Sequence, residues 1–355
     1  MENQFLPSYT IGTDAYEAVP EVCGYFGKKA VVIGGNKSRA AAEPLLTEAC
    51  KGKLELTGSF YYGDDATYEN AEALTRLKEV QDADMIFAVG GGRAVDTVKK
   101  TAGDMNKPVF TFPTLASNCA PVTAVGAYYY PNHSFRSVWY RNRPAFHTFI
   151  NTRVIAEAPA EYFWAGIGDA LSKQYEVEFS SRGDELNYTR SLGVQLAKNC
   201  SAGLLKYGKE ALESVKQKKV TPALDYVTQN IIFSTGIISN FVPEDYNSSL
   251  AHALYNSHTG TPHEGTHLHG AVVVWGVLVL LTMDGQTEER DKLYQFCKDT
   301  GLPHKLKDIG LKDAALLVKN AVTKPDLRKV PYAVTEEKVL KAIEDLEKLS
   351  DCDKK

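Results

Sequence analysis

Histidine is unusually dense in one segment of the chain. Imidazole is the commonest side-chain ligand of divalent transition metals, and a catalytic metal site keeps three protein ligands and one open position. The segment AHALYNSHTGTPHEGTHLHGAVVVWG (251–276) holds five of the eight histidines: His252, His258, His263, His267 and His269. Five histidines cannot all bind one ion, so the segment predicts at most a site built from some of them.

Predicted elements separate these histidines into two groups. His252 falls in the helical pattern SSLAHALYN, and His269 begins the apolar helix HGAVVVWGVLVLL, where the positive end of the helix dipole favours a neutral imidazole. His258, His263 and His267 lie in and beside the Gly/Pro/Thr-rich stretch TGTPHEGTH, which predicts surface residues or groups behind the ligands. Satisfied core or cleft histidines remain the alternative reading for all of them.

One carboxylate could complete such a site. In GIGDALSKQYE, Asp169 is predicted just inside a helix, where glycines let other backbone come close. The alternative is an aspartate that only starts its helix.

The first 150 residues alternate short strand-like runs with amphipathic helical segments. The run NAEALTRLKEVQ (70–81) places Ala71, Leu74, Leu77 and Val80 on one helical stripe. Strand-like runs rich in β-branched and aromatic residues cover 29–35, 84–92, 107–112 and 145–150. This βαβ rhythm predicts an α/β domain with a parallel sheet over residues 1–155.

Strand signals nearly vanish from about residue 156. Helical patterns follow one another in EYFWAGIGDALSKQYEVEF, ELNYTRSLGVQLAKNCSAGLLKYG, PALDYVTQNIIFSTGIISNF and TEEKVLKAIEDLEKL. They predict an all-α domain over residues 156–355, and a chain of 355 residues is long enough for two cores.

Two glycine-containing turns in the first domain could bind a nucleotide. In AVGGGRAVDTVKK, Gly90, Gly91 and Gly92 close a strand and open a helix, so bare backbone N–H groups could approach a pyrophosphate. The run is not G-x-G-x-x-G, and a simple tight turn is the alternative. In VVIGGNKSRA, Gly35 and Lys37 occupy the place where NAD sites carry an acid, so NADP(H) is at least tolerated unless Lys37 is only a solvated helix-start residue.

Charge and composition limit the kinds of partner that the protein is expected to bind. The net charge is −4 with no long basic run, which argues against nucleic acid or an anionic membrane as the main partner and favours a small molecule. The longest apolar stretch, AVVVWGVLVLL, is too short to span a bilayer. The six cysteines form no C-x-x-C pair, and the start shows no signal-peptide pattern, so we expect a cytoplasmic protein.

Four motifs together resemble the iron-containing alcohol dehydrogenase superfamily on its glycerol dehydrogenase side. They are AVGGGRAVDTVK, FPTLASNCAP, AGIGDALSK and LAHALYN…HLHGAVVVWG, with 83 residues from Asp169 to His252 and 17 from His252 to His269. The resemblance implies a Rossmann-like N-terminal domain, a helical C-terminal domain (the dehydroquinate synthase-like fold) and homodimers or larger homo-oligomers. It also implies a divalent metal held by Asp169, His252 and His269.

The same resemblance implies hydride transfer between NAD(P)(H) and a small alcohol or carbonyl compound. The implied nucleotide contacts lie at Gly92, Arg93, Asp96, Thr114, Ser117, Thr123, Val125 and Tyr129.

Two departures from the family pattern bear on metal and substrate. Iron-dependent members have a further histidine where this chain has Lys173, which cannot coordinate as a cation, so zinc is favoured over iron. Glycerol dehydrogenases have an aspartate where this chain has Cys119, and Cys119 with Lys173 resembles the hydroxycarboxylate dehydrogenase branch, which reduces 2-oxo acids. Lys173 could attract a carboxylate substrate, or it could pair with Glu176 or Glu178 on its own helix.

Two other functions stay open at this point. A dehydroquinate-synthase-like lyase would use NAD and zinc in an internal redox cycle, and it would need several basic residues at one site, for which Arg136, Arg141 and Arg143 are scattered candidates. A metal- or nucleotide-binding protein that has lost activity is the non-enzymatic alternative.

Overall fold

The computed structural model describes residues 4–352, with side chains to residue 349. The strands are β1 Tyr9–Gly12, β2 Lys29–Gly34, β3 Glu55–Tyr61, β4 Met85–Gly90, β5 Val109–Pro113, β6 Val125–Tyr129, β7 Phe135–Tyr140 and β8 His147–Asn151. The α-helices are α1 Val19–Cys23, α2 Asn36–Cys50, α3 Tyr68–Thr75, α4 Lys78–Asp82, α5 Gly92–Asp104, α6 Thr152–Glu157, α7 Ala160–Ser181, α8 Tyr188–Ala197, α9 Cys200–Lys216, α10 Pro222–Gln229, α11 Thr235–Phe241, α12 Glu244–Asn247, α13 Leu250–His258, α14 His269–Met283, α15 Thr287–Thr300, α16 Ala315–Ala321 and α17 Glu336–Cys352.

Six parallel strands form the main sheet in the order β1-β8-β5-β4-β2-β3. The four predicted strand runs become β2, β4, β5 and β8, which occupy the interior of the sheet and are buried along nearly their whole length. The other two strands of this sheet, β1 and β3, were not predicted. They are its edges, where only part of each residue is buried and the hydrophobic signal is therefore weak.

A two-stranded antiparallel hairpin, β6–β7, was also not predicted. It packs on α5. Tyr128 is fully buried there, and its hydroxyl donates a hydrogen bond to the main-chain oxygen of Asp96.

The predicted helix over 70–81 is two helices, α3 and α4. Leu77 is extended (φ −72°, ψ 130°) and starts α4, so the chain bends while Leu74 and Val80 both stay buried. Similarly, the predicted helix over 222–241 contains a π-helical turn, Asn230–Ser234, which separates α10 from α11 and buries Ile231 and Ile232.

No described residue from 156 onward lies in a strand, so the predicted fold class is confirmed: a parallel-sheet α/β region followed by helices. Contacts divide the chain into two compact units. Unit 1 comprises the residues up to Ala160 with Glu213–Asn240, and unit 2 comprises Glu161–Leu212 with the residues from Phe241 on.

The segment Glu213–Asn240 therefore groups with the sheet, although the predicted division at residue 155 assigns it to the C-terminal domain. The Tyr9 hydroxyl donates to Gln229 Oε1 (2.8 Å), and the Tyr9 ring lies 4.1 Å from that of Phe233, centroid to centroid. The Asn240 side chain also accepts a hydrogen bond from the backbone N–H of Ala124 and donates one to the backbone oxygen of Val122. Within the described residues, no helix is both long and apolar enough to cross a membrane.

Candidate metal and nucleotide sites

Three predicted ligands converge in unit 2. Asp169 Oδ1 lies 3.0 Å from His269 Nε2 and 3.9 Å from His252 Nε2, and the two imidazole centroids are 5.3 Å apart. Across the described residues, this is the only group of three histidine, cysteine, aspartate or glutamate side chains whose ligand atoms all lie within 4.8 Å of one another. One carboxylate oxygen and two imidazole nitrogens at such separations form a donor set suited to a divalent transition metal.

Close helix packing sets this geometry. A Cβ atom on Gly168 would lie 2.4 Å from the oxygen of Gly270, and one on Gly270 would lie 1.9 Å from the oxygen of Ala165. The main chains of α7 and α14 are therefore in contact, which brings Asp169 beside His269. At Gly276, a Cβ would lie 2.7 Å from the Cα of Ala251, so α13 and α14 are equally close beside His252.

The depth of Asp169 in its helix differs from the prediction. Asp169 is the tenth residue of α7, which begins at Ala160, so it does not start the helix. His252 and His269 lie as predicted, inside α13 and at the first residue of α14.

A buried carboxylate behind His252 orients that imidazole. Glu176 is fully buried on α7, and its Oε2 lies 2.5 Å from His252 Nδ1. Its Oε1 accepts hydrogen bonds from the backbone N–H groups of Ser249 (2.7 Å) and His252 (3.1 Å) at the start of α13. A proton on Nδ1 facing Glu176 leaves Nε2, the nitrogen nearer Asp169, available as a ligand.

The shifted pKa values of Asp169 and His252 favour the charged form of both side chains. Burial alone would raise the pKa of Asp169, but His269, His252 and Lys173 outweigh it and hold the pKa of that carboxyl below its usual range. Burial would lower the pKa of His252, but the Glu176 and Asp169 carboxylates together raise it to about 9. The two carboxylates thus favour positive charge here, and a metal ion would have to displace the proton that His252 Nε2 carries at neutral pH.

The remaining three histidines form a separate group, here called the histidine cluster: His258, His263 and His267. The ring centroid of His258 lies 4.0 Å from that of His263 and 5.5 Å from that of His267. His258 is not the surface residue that was one of the two predictions for it, because it is only 3% exposed; with its Nε2 2.7 Å from the oxygen of Ile309, it fits the alternative of a satisfied core histidine. His263 is exposed, and His267 is half-buried.

Lys173 lies one turn after Asp169 and is buried. Its Nζ donates a hydrogen bond to Asn247 Oδ1 at 3.0 Å, and its charge contributes to the low pKa of Asp169. Glu176, one of its two alternative partners, is instead directed at Ser249 and His252. Both the substrate-binding role and the structural role of Lys173 stay predictions.

The triple glycine has the predicted strand–turn–helix form in unit 1. Strand β4 ends at Gly90, which has φ +147°, and α5 begins at Gly92. A Cβ on Gly91 would lie 3.0 Å from Leu115 Cδ1, and one on Gly92 would lie 2.7 Å from Asn118 Nδ2. Leu115 and Asn118 thus leave no room for side chains at Gly91 and Gly92, and the glycines themselves add none over the backbone N–H groups at the start of α5, where a phosphate could bind.

The first turn leads from β2 into α2. Gly35 caps α2, and the Ser38 hydroxyl, within hydrogen-bond distance of the oxygens of both Gly35 and Val89, links this turn to β4. Lys37 is exposed in the first turn of α2. Its position fits both the nucleotide-binding prediction and the alternative of a solvated helix-start residue.

Two predicted nucleotide contacts, Arg93 and Tyr129, touch each other. The Arg93 guanidinium lies 4.7 Å from the Tyr129 ring centroid, and it forms a 2.7 Å ion pair with Asp65. Asp65, which is fully buried, also lies 2.7 Å from Nδ1 of His133. Asp65 thus fixes one side of Arg93 in place.

Asp96 is held in a buried ion pair. Its Oδ1 lies 2.8 Å from the Nζ of Lys99, and its Oδ2 accepts from the backbone N–H of Ala127. Lys99 in turn donates to the backbone oxygens of Ala120, Thr123 and Val125. The pair therefore positions the segment that carries the predicted contacts Thr123 and Val125.

The other predicted positions lie just after β5. Thr114 is buried next to that strand, and Ser117 is half-buried. Cys119 is also half-buried, and its Sγ lies 3.9 Å from Ser239 Oγ. That contact gives Cys119 a neighbouring hydroxyl rather than a base.

Sequence reasoning missed three positioning residues: Glu176, Asp65 and Lys99. Each acts on a residue distant in the sequence or on main-chain atoms. A weak signal existed only for Lys99, whose spacing of three from Asp96 on one helix is that of an ion pair.

Comparisons with known proteins show the class to which this fold and this site belong. The family model described as iron-containing alcohol dehydrogenase matches residues 7–147. A glycerol dehydrogenase of Thermotoga maritima is 31% identical over 91% of this chain and 86% of its own length. Hydroxycarboxylate dehydrogenase A of Escherichia coli is 29% identical over 73% of this chain and 71% of its own length.

Solved structures support the same fold. The crystal structure of glycerol dehydrogenase from Schizosaccharomyces pombe matches with a TM-score of 0.85 at 23% identity, covering 99% of this chain and 92% of that one. The chain belongs to the iron-containing alcohol dehydrogenase family, in its glycerol dehydrogenase-like branch. It is therefore a glycerol dehydrogenase-like oxidoreductase.

Proposed function

We propose that this protein is a metal-dependent dehydrogenase that transfers a hydride between NAD(P)(H) and a small alcohol or 2-oxo/2-hydroxy acid. The observation that carries the proposal is the convergence of Asp169, His252 and His269, with ligand atoms within 4.8 Å of one another. The strand–turn–helix geometry of Gly90–Gly92 supports a nucleotide in unit 1.

The residues present fit a resident divalent cation. Asp169, His252 and His269 would hold it, and Glu176 would keep His252 in the tautomer that offers Nε2. When bound, such an ion supplies Lewis-acid chemistry toward a substrate oxygen. Zinc is favoured over iron because this chain has Lys173 where iron-dependent members of the family have a further histidine. That replacement leaves three protein ligands and an open position.

The position and charge of Lys173 support a substrate that carries a carboxylate. It is buried one turn from Asp169, where its ammonium could hold and orient a carboxylate group. The similarity to hydroxycarboxylate dehydrogenase A points the same way, whereas the similarity to glycerol dehydrogenases favours a polyol. We propose that 2-oxo acids are reduced more efficiently than glycerol is oxidised, with Cys119 helping to shape the substrate pocket.

The turn between β2 and α2 bears on the choice between NAD(H) and NADP(H). Gly35 and Lys37 replace the acid that selects against the extra phosphate of NADP, so we propose that both NADH and NADPH are used. Turnover with each reduced nicotinamide measures this, and a strong NADH preference would remove it.

A lyase of the dehydroquinate synthase type is not favoured. The relatives reported above are named dehydrogenases, and Arg136, one of the basic residues that such a lyase would need, is paired with Glu69 (2.9 Å). Net consumption of reduced nicotinamide separates the two functions, because an internal redox cycle consumes none.

The metal site is tested by comparing two histidines from the same segment. His252→Ala should lose both bound metal, measured by elemental analysis, and turnover in a screen of polyols, aldehydes and 2-oxo acids. His263→Ala, which removes an exposed imidazole, is the matched control and should retain both. If His252→Ala kept wild-type metal content and turnover, the proposed function would fail.

A further inference from the structure

A pocket in unit 1 combines positive charge with aromatic walls. It has a volume of about 470 Å³ and is lined by residues that include Arg141, Arg143, Phe5, Trp139 and Phe146. No aspartate or glutamate is among its lining residues. Since acidic and basic residues are almost equally frequent in this chain, 44 against 40, a lining whose charged residues (Lys107, Arg141 and Arg143) are all basic is a specific local feature.

The two guanidinium groups lack carboxylate partners. Within the described part of the chain, neither Arg141 nor Arg143 has an acidic oxygen within 4.0 Å, whereas Arg136 pairs with Glu69 and Arg182 with Asp284. Arg141 Nη2 donates only to the backbone oxygen of Lys107, at 3.1 Å.

Some of their donors are buried without an acceptor. Arg141 Nη1 and Arg143 Nε are shielded from solvent and have no hydrogen-bond partner among the described residues. An unpaired buried donor is costly, more so when it belongs to a charged group. Burial and the neighbouring Arg143 lower the pKa of Arg141 to about 10, so Arg141 is still a cation at neutral pH; burial also lowers the pKa of Arg143.

Aromatic packing holds one guanidinium in place. The centre of the Arg143 guanidinium lies 3.6 Å from the Phe146 ring centroid and 4.8 Å from that of Phe5. Such stacking leaves the edge of the guanidinium, where its N–H donors lie, free to face an oxyanion.

This pocket is separate from the nucleotide region. Pro108 and Phe146, which line it, immediately precede β5 and β8, at the amino-terminal edge of the parallel sheet. The Gly90–Gly92 turn lies at the carboxyl end of β4 and therefore at the opposite edge.

From these observations we infer that Arg141 and Arg143 form a binding site for an oxyanion, a carboxylate or phosphate group carried by a small organic molecule. The planar fork of arginine matches both groups, and the aromatic walls would contact an apolar part of the ligand.

Isothermal titration with sodium benzoate and, separately, with inorganic phosphate tests the site. Both titrations are run at ionic strength held constant with sodium chloride. The wild type should bind at least one of the two probes saturably. In Arg143→Gln, one equivalent of that binding should be lost, or its affinity should fall roughly tenfold or more, as expected for loss of a charged hydrogen bond. Benzoate alone indicates a carboxylate ligand, and phosphate alone indicates a phosphate ester.

Arg136→Gln is the matched control, since it removes the same charge from a guanidinium that already has a carboxylate partner. It should bind like the wild type. Arg143 donates no side-chain hydrogen bond among the described residues, so Arg143→Gln should keep the fold, which thermal denaturation checks. Absence of saturable binding of both probes to the wild type, or equal binding by Arg143→Gln, would overturn the site.

Discussion

The candidate metal-ligand set (Asp169, His252 and His269) and the histidine cluster are two groups of three side chains. Their histidines come from one stretch of sequence, but their surroundings differ. In the first, imidazole nitrogens face the Asp169 carboxylate, and Glu176 lies behind His252. In the second, each imidazole lies 2.7–2.8 Å from a main-chain oxygen: Ile309 for His258, Thr261 for His263 and Glu264 for His267. The difference shows that density of histidine alone does not bring donors to one point, whereas convergence on the half-buried Asp169 carboxylate does.

Removing the carboxylate behind His252 should have the largest effect. We expect Glu176→Gln to weaken metal affinity by roughly 10- to 100-fold, the usual cost of losing an outer partner of a ligand. Competition with a chelator measures the affinity without reference to turnover. Glu178→Gln, two residues further on α7, is the control, and equal affinities for the two variants would erase the contrast drawn above.

Lys173→Ala should act on substrate rather than on metal. Loss of a charged hydrogen bond costs about 1.5–3 kcal/mol, so KM for a 2-oxo acid should rise roughly tenfold or more. Metal content and KM for an uncharged alcohol should change much less. Lys209→Ala, at an exposed ion pair with Asp299, provides the control, and an unchanged KM in Lys173→Ala would assign Lys173 a structural role.

In the histidine cluster, the effect should be on stability alone. We expect His258→Ala to lower the free energy of unfolding by about 1–3 kcal/mol, because the Ile309 oxygen loses its buried partner. Chemical denaturation gives this value, and elemental analysis should find wild-type metal content. A loss of metal instead would mean that the two groups are coupled.

The cluster also predicts a pH dependence. Burial, with smaller contributions from His263 and His267, lowers the pKa of His258. Below about pH 6.5 the unfolded chain therefore takes up a proton that the folded chain does not, so the contribution of His258 to stability is present above that pH and decreases as the pH falls. The stability difference between wild type and His258→Asn should shrink on acidification; a constant difference would contradict this.

Local patterns predicted more of the fold than of the site. The four interior strands were evident because each is a continuous apolar run, and the placement of His252 and His269 followed from helical periodicity. By contrast, edge strands β1 and β3 bury too little to give such a signal. Glu176 reaches His252 across 76 residues, and no pattern in one sequence specifies a contact of that range.

The helix contact at Gly168 and Gly270 has a consequence for how this enzyme can diverge. Because main-chain atoms touch there, the separation of α7 and α14 is fixed, and the Gly276–Ala251 contact fixes that of α13 and α14 independently of residues 259–268, which connect them. That connection can therefore change in length or composition without disturbing the ligands, which leaves room for new substrate preferences to evolve around an unchanged centre.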